Sequence, residues 1–440
     1  MLNNSTLVRE AHEAFVTGHN GSAPHDIILA VYPAIPASIT AAVAGQRFPG
    51  LFGLFLECIL LVVPLTLSFT HLSNYTLELS ALMLGTAGIA VFFIRPTASS
   101  CTVDSNPRRL KYLTSVRGQL NLVTVIAILA IDFRCFPRRF IKTEEYGYSL
   151  MDVGAAGFVI NNGIVEGRKR PSYKSVARDG AILTALGFLR LFLIKASNYQ
   201  HHVTEYGLHA NFFFTLAFVK LTCSWWIWRL SCFQSFLCSI LISICHQAYL
   251  VLGNGAAWTL SDAPRDTLLT ANREWIVALA GYSSIYLIGA AIGDYIFNKS
   301  NFGHGRKSSS LVAITLTAVG ILVMLHYFVD LPSRRLGNPT FIYFCVCFLL
   351  IVLIHYALIE EVFSRVFPGF CFVPITFQAI NQQPLLIFLL ANLMTGLINK
   401  SVNTLDITYP YDLLIINGYT MGLVSVMLYL HSGNTKEKKL

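Results

Sequence analysis

Residues 121–147 read NLVTVIAILAIDFRCFPRRFIKTEEYG, a stretch that joins an apolar segment directly to a dense group of charges. The first ten residues have the composition of a helix that lies in lipid. A change of polarity this abrupt indicates a membrane edge, because charges are unfavourable in hydrocarbon and stable beside headgroups. The seven charged residues that follow the apolar segment are Asp132, Arg134, Arg138, Arg139, Lys142, Glu144 and Glu145.

Similar apolar windows recur along all 440 residues, of which 54% are hydrophobic and only 12% are charged. Soluble domains carry about 25% charged residues. A helix needs about 20 apolar residues to cross a bilayer. We therefore predict an all-α polytopic membrane protein with about thirteen transmembrane helices in one bundle with short loops. The candidate spans are residues 27–45, 50–69, 77–95, 118–133, 150–165, 179–196, 210–227, 230–251, 275–297, 309–329, 340–359, 384–400 and 412–431.

Basic residues are concentrated in alternate loops, around Arg108, Arg168 and Arg306, and in the C-terminal tail. The positive-inside rule places these loops in the cytosol, so an odd number of spans puts the N-terminus in the lumen and the C-terminus in the cytosol. We thus expect three parts: a polar lumenal segment over 1–26, a single transmembrane domain over 27–431 and a basic cytosolic tail over 432–440.

The last five residues, KEKKL, resemble the K-x-K-x-x retrieval signal of endoplasmic reticulum membrane proteins. Such signals are read by receptors and do not anchor the chain. We therefore expect a multi-pass protein of the endoplasmic reticulum membrane, although a basic tail is also a common solvated ending.

Several function classes are disfavoured by the sequence. The net charge of +9 is explained by basic residues in short loops, which set the membrane orientation and contact anionic lipid. Because no nucleic-acid-binding motif is present, we expect no nucleic acid partner. Ten cysteines are present without a C-x-x-C pair or zinc spacing, so we expect no metal. The chain also lacks G-x-S-x-G, P-loop and dinucleotide motifs. The sequence therefore disfavours an acyl-serine enzyme and an ATP-driven pump, and we expect no permanently bound cofactor.

Chemically diverse residues fall at predicted lumenal edges, and each group allows two interpretations. Asp132 near Lys142 is either a base held ionised by a cation or part of a charge cluster that anchors a helix end. His209 and Glu205 either act on a substrate or form an interfacial loop. The segment Asn272–Glu274 either binds a headgroup or caps the next helix. Arg335, in Ser333-Arg334-Arg335, either binds phosphate or serves as an anchor.

The chain resembles the GPI inositol-acyltransferase family, known as PIG-W in animals with fungal counterparts, over nearly its whole length. The matching motifs are, in chain order, F-V-T-G-H-N-G at 15–21, A-I-L-A-I-D-F-x-x-F-P-R-R-F-x-K at 127–142, T-E-x-Y-G-x-S-L-M-D-V-G at 143–154, N-G-I-V at 162–165, L-G-x-L-R-L at 186–191, H-V-T-E-Y-G-x-H-x-N-F-F-x-T at 202–215, A-N-R-E at 271–274, S-R-R at 333–335 and L-L-A-N-L-x-T-G-L-I-N at 389–399. The sequence departs from the family pattern at Arg134, Cys135, His201, Ala210 and Trp275.

The resemblance implies transfer of a fatty acyl group, typically palmitoyl from palmitoyl-CoA, to the inositol ring of glucosaminyl-phosphatidylinositol. Acyl-CoA would be the co-substrate, and membrane lipid the surroundings. The family's catalytic Asp and Lys correspond to Asp132 and Lys142, with His209 as the runner-up base. The remaining substrate-binding candidates are Arg139, Arg273 and Arg335 for the phosphate, Glu205 and Glu274 for the amine, and Asn211 and Asn272 for the headgroup.

A polytopic lipid or small-molecule transporter is the main alternative, because polar residues within membrane segments mark transport paths as readily as active sites. Acyl transfer by the purified protein distinguishes the two.

Overall fold

The computed structural model describes residue 15 and residues 17–48, 50–94, 110–169, 172–197, 203–298 and 304–437. Throughout these ranges the regular elements are helices, and the extended chain forms one isolated antiparallel bridge, between Ser22 and Tyr148. Among the described residues, nine helical segments are long and apolar enough to cross a membrane, if Pro24–Arg47 is counted as one. The predicted all-α polytopic membrane class is confirmed.

The helices are numbered here in chain order. They are α1 Pro24–Val31, α2 Ala34–Arg47, α3 Leu51–Phe69, α4 Thr76–Val91, α5 Lys111–Ala130, α6 Leu150–Lys169, α7 Tyr173–Ser197, α8 Val203–Tyr206, α9 Phe212–Ile227, α10 Cys232–Leu252, α11 Gly255–Leu260, α12 Leu268–Ala271, α13 Arg273–Asn298, α14 His304–Phe328, α15 Pro339–Val366, α16 Ile375–Gln382, α17 Pro384–Ser401 and α18 Tyr411–Glu437.

Each of the thirteen predicted spans coincides with helical chain, but the number of spans that cross the bilayer stays a prediction. Helices α4 and α9 are apolar but shorter than the nine candidates within the described ranges. The basic loop around Arg108, the pair His201–His202 and residues 438–440 of the tail lie outside the described residues.

Several helices are longer than the apolar pattern predicts, and α5 and α6 are two of them. Helix α5 begins at Lys111, seven residues before the predicted start at 118, and α6 continues to Lys169 instead of ending at 165. The hydropathy pattern underestimated both helices because the polar residues at their ends keep helical backbone hydrogen bonds. Each helix has 20 residues, enough to span the hydrocarbon region.

The described chain divides into two compact units. The middle unit comprises Met1–Ser22 and Lys142–Leu350, and the terminal unit comprises Ala23–Ile141 and Ile351–Leu440. In the terminal unit, α2 packs against α3 and α4, while α5, α17 and α18 surround the short helix α16. The predicted single transmembrane domain over 27–431 remains a prediction.

The short helix α16 is a buried element of the terminal unit. Its Phe377 side chain is fully buried and lies against Gly118 of α5, where no other residue would leave room for the ring. At its start, the carboxylate of the buried Glu57 in α3 accepts a hydrogen bond from the Thr376 amide at 2.6 Å. A hydrogen-bond acceptor at a helix N-terminus satisfies an amide that lacks a partner within the helix.

The middle unit is built on the close packing of α6 against α13. Small residues let helix backbones approach each other in a membrane, where van der Waals contact drives association. A methyl group at Gly163 would overlap the carbonyl oxygen of Tyr286, and one at Gly289 would overlap that of Ile160. Both helices therefore depend on glycines spaced four residues apart: Gly163 and Gly167 in α6, and Gly289 and Gly293 in α13.

We expect Gly163→Ala to lower the unfolding temperature of the purified protein in detergent. Overpacking a tight contact costs about 1–3 kcal/mol, more than the gain of about 1 kcal/mol in helix propensity. Gly154→Ala is the matched control, because Gly154 lies in the same helix with nothing within 4 Å of an added Cβ. Equal unfolding temperatures for the two variants would contradict the packing argument.

Candidate functional site

Lys142 and Glu205, both predicted as functional, form an ion pair in the middle unit. The Lys142 Nζ donates to Glu205 Oε1 at 2.5 Å. The Lys142 side chain keeps 32% of its surface exposed and that of Glu205 keeps 17%. The pair therefore holds the ammonium group in one position while leaving part of it accessible to a ligand.

A buried network supports this pair from the inside. Thr143, next to Lys142 in the chain, donates to Asp152 Oδ2 through its amide at 3.0 Å and through its hydroxyl at 2.7 Å. The other oxygen of Asp152 accepts from Arg334 Nε at 2.7 Å. Arg334 also donates to the backbone carbonyl of Glu205 at 3.4 Å. Arg334 thus connects the segment that carries Lys142 to the loop that carries Glu205.

Arg334 remains charged although it is buried, because carboxylates lie close to it. Burial alone would lower the pKa of the guanidinium, but the charges of Asp152 and Glu205 raise that pKa above its ordinary value. The ring of Tyr206 lies 5.9 Å from the guanidinium, and burial raises the pKa of Tyr206 to about 12. At physiological pH the network therefore contains a charged arginine beside a neutral phenol.

A second buried network of the middle unit is centred on Glu274, whose side chain has no exposed surface. Arg265 donates to both carboxylate oxygens, at 2.6 and 3.0 Å, and Arg335 donates to Oε1 at 3.3 Å. Arg273 donates to the backbone carbonyls of Ser261 and Ala263. The predicted substrate-binding residues Arg273, Glu274 and Arg335 therefore all have partners within the protein, and these contacts fix the loop that precedes α13.

Asn272 and Asn211 organise the backbone of the neighbouring loop. The Asn272 Oδ1 accepts from the amides of His209 and Ala210 at 2.9 and 3.1 Å. Asn211 is the N-cap of α9 and accepts from the Phe213 amide at 3.0 Å. The Asn272 side chain thus holds the backbone of residues 209–210, and His209 itself lies on an exposed turn.

Asp132 lies in the terminal unit, directly after the end of α5. Its carboxylate Oδ2 accepts a hydrogen bond from Asn399 Nδ2 of α17 at 2.7 Å. The Arg138 guanidinium folds back and donates to the carbonyls of Phe133 and Phe136 at 3.0 and 2.7 Å. Arg138 therefore stabilises the turn that carries Asp132, and Asn399 of α17 orients the Asp132 carboxylate.

Arg139, predicted to bind phosphate, interacts with a neighbouring turn of the terminal unit. Its guanidinium donates to Asn74 Oδ1 at 2.8 Å and to the Ser73 carbonyl at 2.7 Å. These bonds connect the turn after α5 to the turn after α3.

Comparison with known proteins matches residues 8–430 to the family model named GWT1. The chain belongs to the GWT1 family. A relative from Schizosaccharomyces pombe, named GPI-anchored wall transfer protein 1, is 37% identical over 71% of this chain and 70% of its own. A Kluyveromyces lactis protein of the same name is 33% identical over 93% of both chains. A Dictyostelium discoideum relative, named Phosphatidylinositol-glycan biosynthesis class W protein, is 29% identical over 97% of this chain and 98% of its own. The predicted family resemblance is confirmed.

Sequence reasoning on this GWT1-family chain missed three supporting residues. Asp152, Thr143 and Asn399 were not singled out, although each lies within a motif that carried the resemblance. Arg334 was considered only as part of Ser333-Arg334-Arg335, which either binds phosphate or serves as an anchor, whereas the structure pairs it with Asp152. For Asp152 and Asn399 the available signal is a polar residue in a largely apolar stretch, which indicates a partner elsewhere in the chain. Thr143 lies between Lys142 and Glu144 and carries no such signal.

We expect Arg334→Met to destabilise the GWT1-family fold strongly. Removing one member of a buried ion pair costs about 3–5 kcal/mol, because the other charge stays buried without a partner. Arg365→Met is the matched control, since Arg365 pairs with Glu361 at 2.5 Å but is 64% exposed, and such pairs contribute about 0–1 kcal/mol.

Thermal unfolding followed by size-exclusion chromatography in detergent measures both variants. A smaller loss of stability for Arg334→Met than for Arg365→Met would contradict the assignment of the buried pair.

Proposed function

We propose that the protein is an acyl-CoA-dependent acyltransferase that transfers a fatty acyl group, palmitoyl by preference, to an inositol hydroxyl of glucosaminyl-phosphatidylinositol. The reaction would be a step of GPI-anchor biosynthesis. The observation that carries the proposal is membership of the GWT1 family over residues 8–430, with relatives whose names refer to GPI-anchored proteins and phosphatidylinositol-glycan biosynthesis. The motif that contains Asp132 and Lys142 supports it.

The transfer forms an ester bond between the inositol oxygen and the acyl carbonyl carbon and breaks the thioester carbon–sulfur bond. The hydroxyl proton must leave as the oxygen attacks, and the departing CoA thiolate ends protonated. A carboxylate suits the first task as a general base, worth about 10²–10⁴ in rate. We assign this role to Asp132, with Asn399 orienting its carboxylate through the hydrogen bond at 2.7 Å. His209, on its exposed turn, is the runner-up base.

Negative charge develops on the carbonyl oxygen during the attack, and a fixed cation stabilises it. Lys142 is assigned to this role, because its ammonium group is held by Glu205 and remains partly exposed. Such electrostatic stabilisation contributes about 10²–10³ in rate. The Asp152–Arg334 network would act as positioning machinery, since it fixes both the segment of Lys142 and the loop of Glu205.

The predicted substrate residues divide into two groups by their contacts. Arg139 and Glu205 are partly exposed and are proposed to bind the phosphodiester and the glucosamine amine directly. The remaining five are proposed to shape the headgroup site by fixing its loops, because they are buried and their side chains bond to protein groups: Asn211, Asn272, Arg273, Glu274 and Arg335.

The proposed location is the endoplasmic reticulum membrane, with the N-terminus in the lumen and the C-terminus in the cytosol. The alternate basic loops and the KEKKL tail support this assignment. Palmitoyl-CoA and glucosaminyl-phosphatidylinositol are the proposed partners, in surrounding membrane lipid, with no resident cofactor and no nucleic acid.

The direct test incubates the purified full-length protein with palmitoyl-CoA and glucosaminyl-phosphatidylinositol and measures acylated product by mass spectrometry. We expect product from the wild type, a loss of about 10²–10⁴ in rate for Asp132→Asn, and a loss of about 10²–10³ for Lys142→Met. Asp406→Asn and Lys400→Met are the controls, because both residues are exposed on the terminal unit.

The outcomes separate the reaction from the mechanism. Product at equal rates from all variants would keep acyl transfer and reject the roles of Asp132 and Lys142. If folded wild-type protein gives no product but mediates uptake of labelled lipid into proteoliposomes, the protein is a transporter and not an acyltransferase.

We expect Asn399→Leu to lower kcat by about 10- to 100-fold while KM for the lipid changes little, since a misplaced base slows the chemical step. A matched pair is available on the surface, where Asn403 Nδ2 donates to Asp406 Oδ2 at 2.6 Å. Asn403→Leu should leave kcat unchanged. A rise in KM alone for Asn399→Leu would show that Asn399 contributes to binding and not to orienting the base.

A further inference from the structure

Three potential metal-binding side chains meet in the terminal unit, each from a different segment. His71 lies in the turn after α3, Cys135 in the turn after α5, and Asp412 in the first turn of α18. The His71 Nε2 and the Asp412 Oδ2 are 2.9 Å apart. With the Cys135 Sγ, the three ligand atoms all lie within 4.8 Å of one another.

The charge of Asp412 needs compensation that the surrounding protein only partly supplies. Its side chain is 3% exposed, and a buried carboxylate is unfavourable unless it is paired, hydrogen bonded or bound to a metal. Asp412 Oδ1 accepts from the Leu413 amide at 2.7 Å. Among the described residues, its one ion-pair partner is His71, which is charged only when protonated. A bound cation would neutralise the carboxylate without protonating the histidine.

The chemical types and the spacing of the three ligands fit one class of ion. Imidazole nitrogen, thiolate sulfur and carboxylate oxygen together favour zinc and similar borderline divalent transition metals over magnesium or calcium. Zinc–ligand bonds of about 2.0–2.3 Å in tetrahedral geometry place neighbouring ligand atoms about 3.3–3.6 Å apart. The observed distances, from 2.9 Å between His71 and Asp412 to no more than 4.8 Å for any pair, bracket this spacing. The partly exposed His71 ring gives an ion access to the three side chains.

We propose that His71, Cys135 and Asp412 form a binding site for a divalent transition metal ion of the zinc class, with the fourth coordination position open to water. On binding, a metal–sulfur bond forms and the Cys135 thiol proton passes to solvent. The ion would connect the turn that carries Asp132 to the turn after α3 and to the start of α18. The proposal is independent of acyl transfer, because metal binding is measured without substrate.

The test uses the purified full-length protein in detergent, treated with a chelator, dialysed and titrated with Co²⁺. A thiolate ligand gives a sulfur-to-cobalt charge-transfer band in the near ultraviolet, which one equivalent of Zn²⁺ should abolish. We expect Cys135→Ser to lose the band, and His71→Ala and Asp412→Asn to weaken Co²⁺ binding at least about tenfold, as loss of one ligand or its support typically does.

Two controls match the proposed ligands. Cys245→Ser removes an exposed thiol of α10, and His25→Ala removes the histidine of an exposed His25–Asp26 pair in which the atoms are 3.4 Å apart. Neither change should alter the cobalt spectrum. A wild-type protein without the band, or a band that persists in Cys135→Ser, would overturn the proposal.

A second measurement needs no variant and so avoids any problem of misfolding. Wild-type protein is alkylated with iodoacetamide with and without Zn²⁺, and each cysteine is quantified by peptide mass spectrometry. We expect Zn²⁺ to slow modification of Cys135 at least about tenfold, in line with the effect of metal ligation on thiol reactivity, and to leave Cys245 unchanged. Equal rates for Cys135 under both conditions would reject the site.

Discussion

The cost of an unpaired buried charge is the constraint on which much of this structure depends. Within lipid or a packed helical interior, a carboxylate must find partners in the protein, since water is excluded. Asp152 is bound by Thr143 and Arg334, and Glu274 by Arg265 and Arg335. In both cases the partners come from separate loops, so satisfying the charge also determines where those loops lie.

The same constraint changes the meaning of several charged motifs. In isolation, Arg273, Glu274 and Arg335 have the chemistry of a headgroup site, yet their side chains hold one another and nearby carbonyls. Lys142 and Glu205 differ, because their pair is partly exposed above the Asp152 network. Fully buried charges therefore fix the loops, whereas partly exposed charges are available to a ligand.

Helix packing follows a different rule from the loops. The contact of α6 with α13 uses glycines spaced four residues apart in each helix, because van der Waals contact rather than exclusion of water favours association in lipid. In the terminal unit, the buried Phe377 of α16 lies against Gly118, and Glu57 binds the start of the same helix. Small residues and one buried carboxylate thus integrate a helix of only eight residues into the core.

The sequence by itself determined the all-α polytopic class, the positions of the helical segments and the family, because apolar length and ordered motifs are local properties of the chain. It also identified Lys142 and Glu205 as functional candidates, but not that they pair. Tertiary structure decided that pairing, the support of Asp132 by Asn399, and the meeting of His71, Cys135 and Asp412. These contacts join residues far apart in the chain, and spacing along a sequence carries no information about which distant side chains a fold brings within hydrogen-bonding distance.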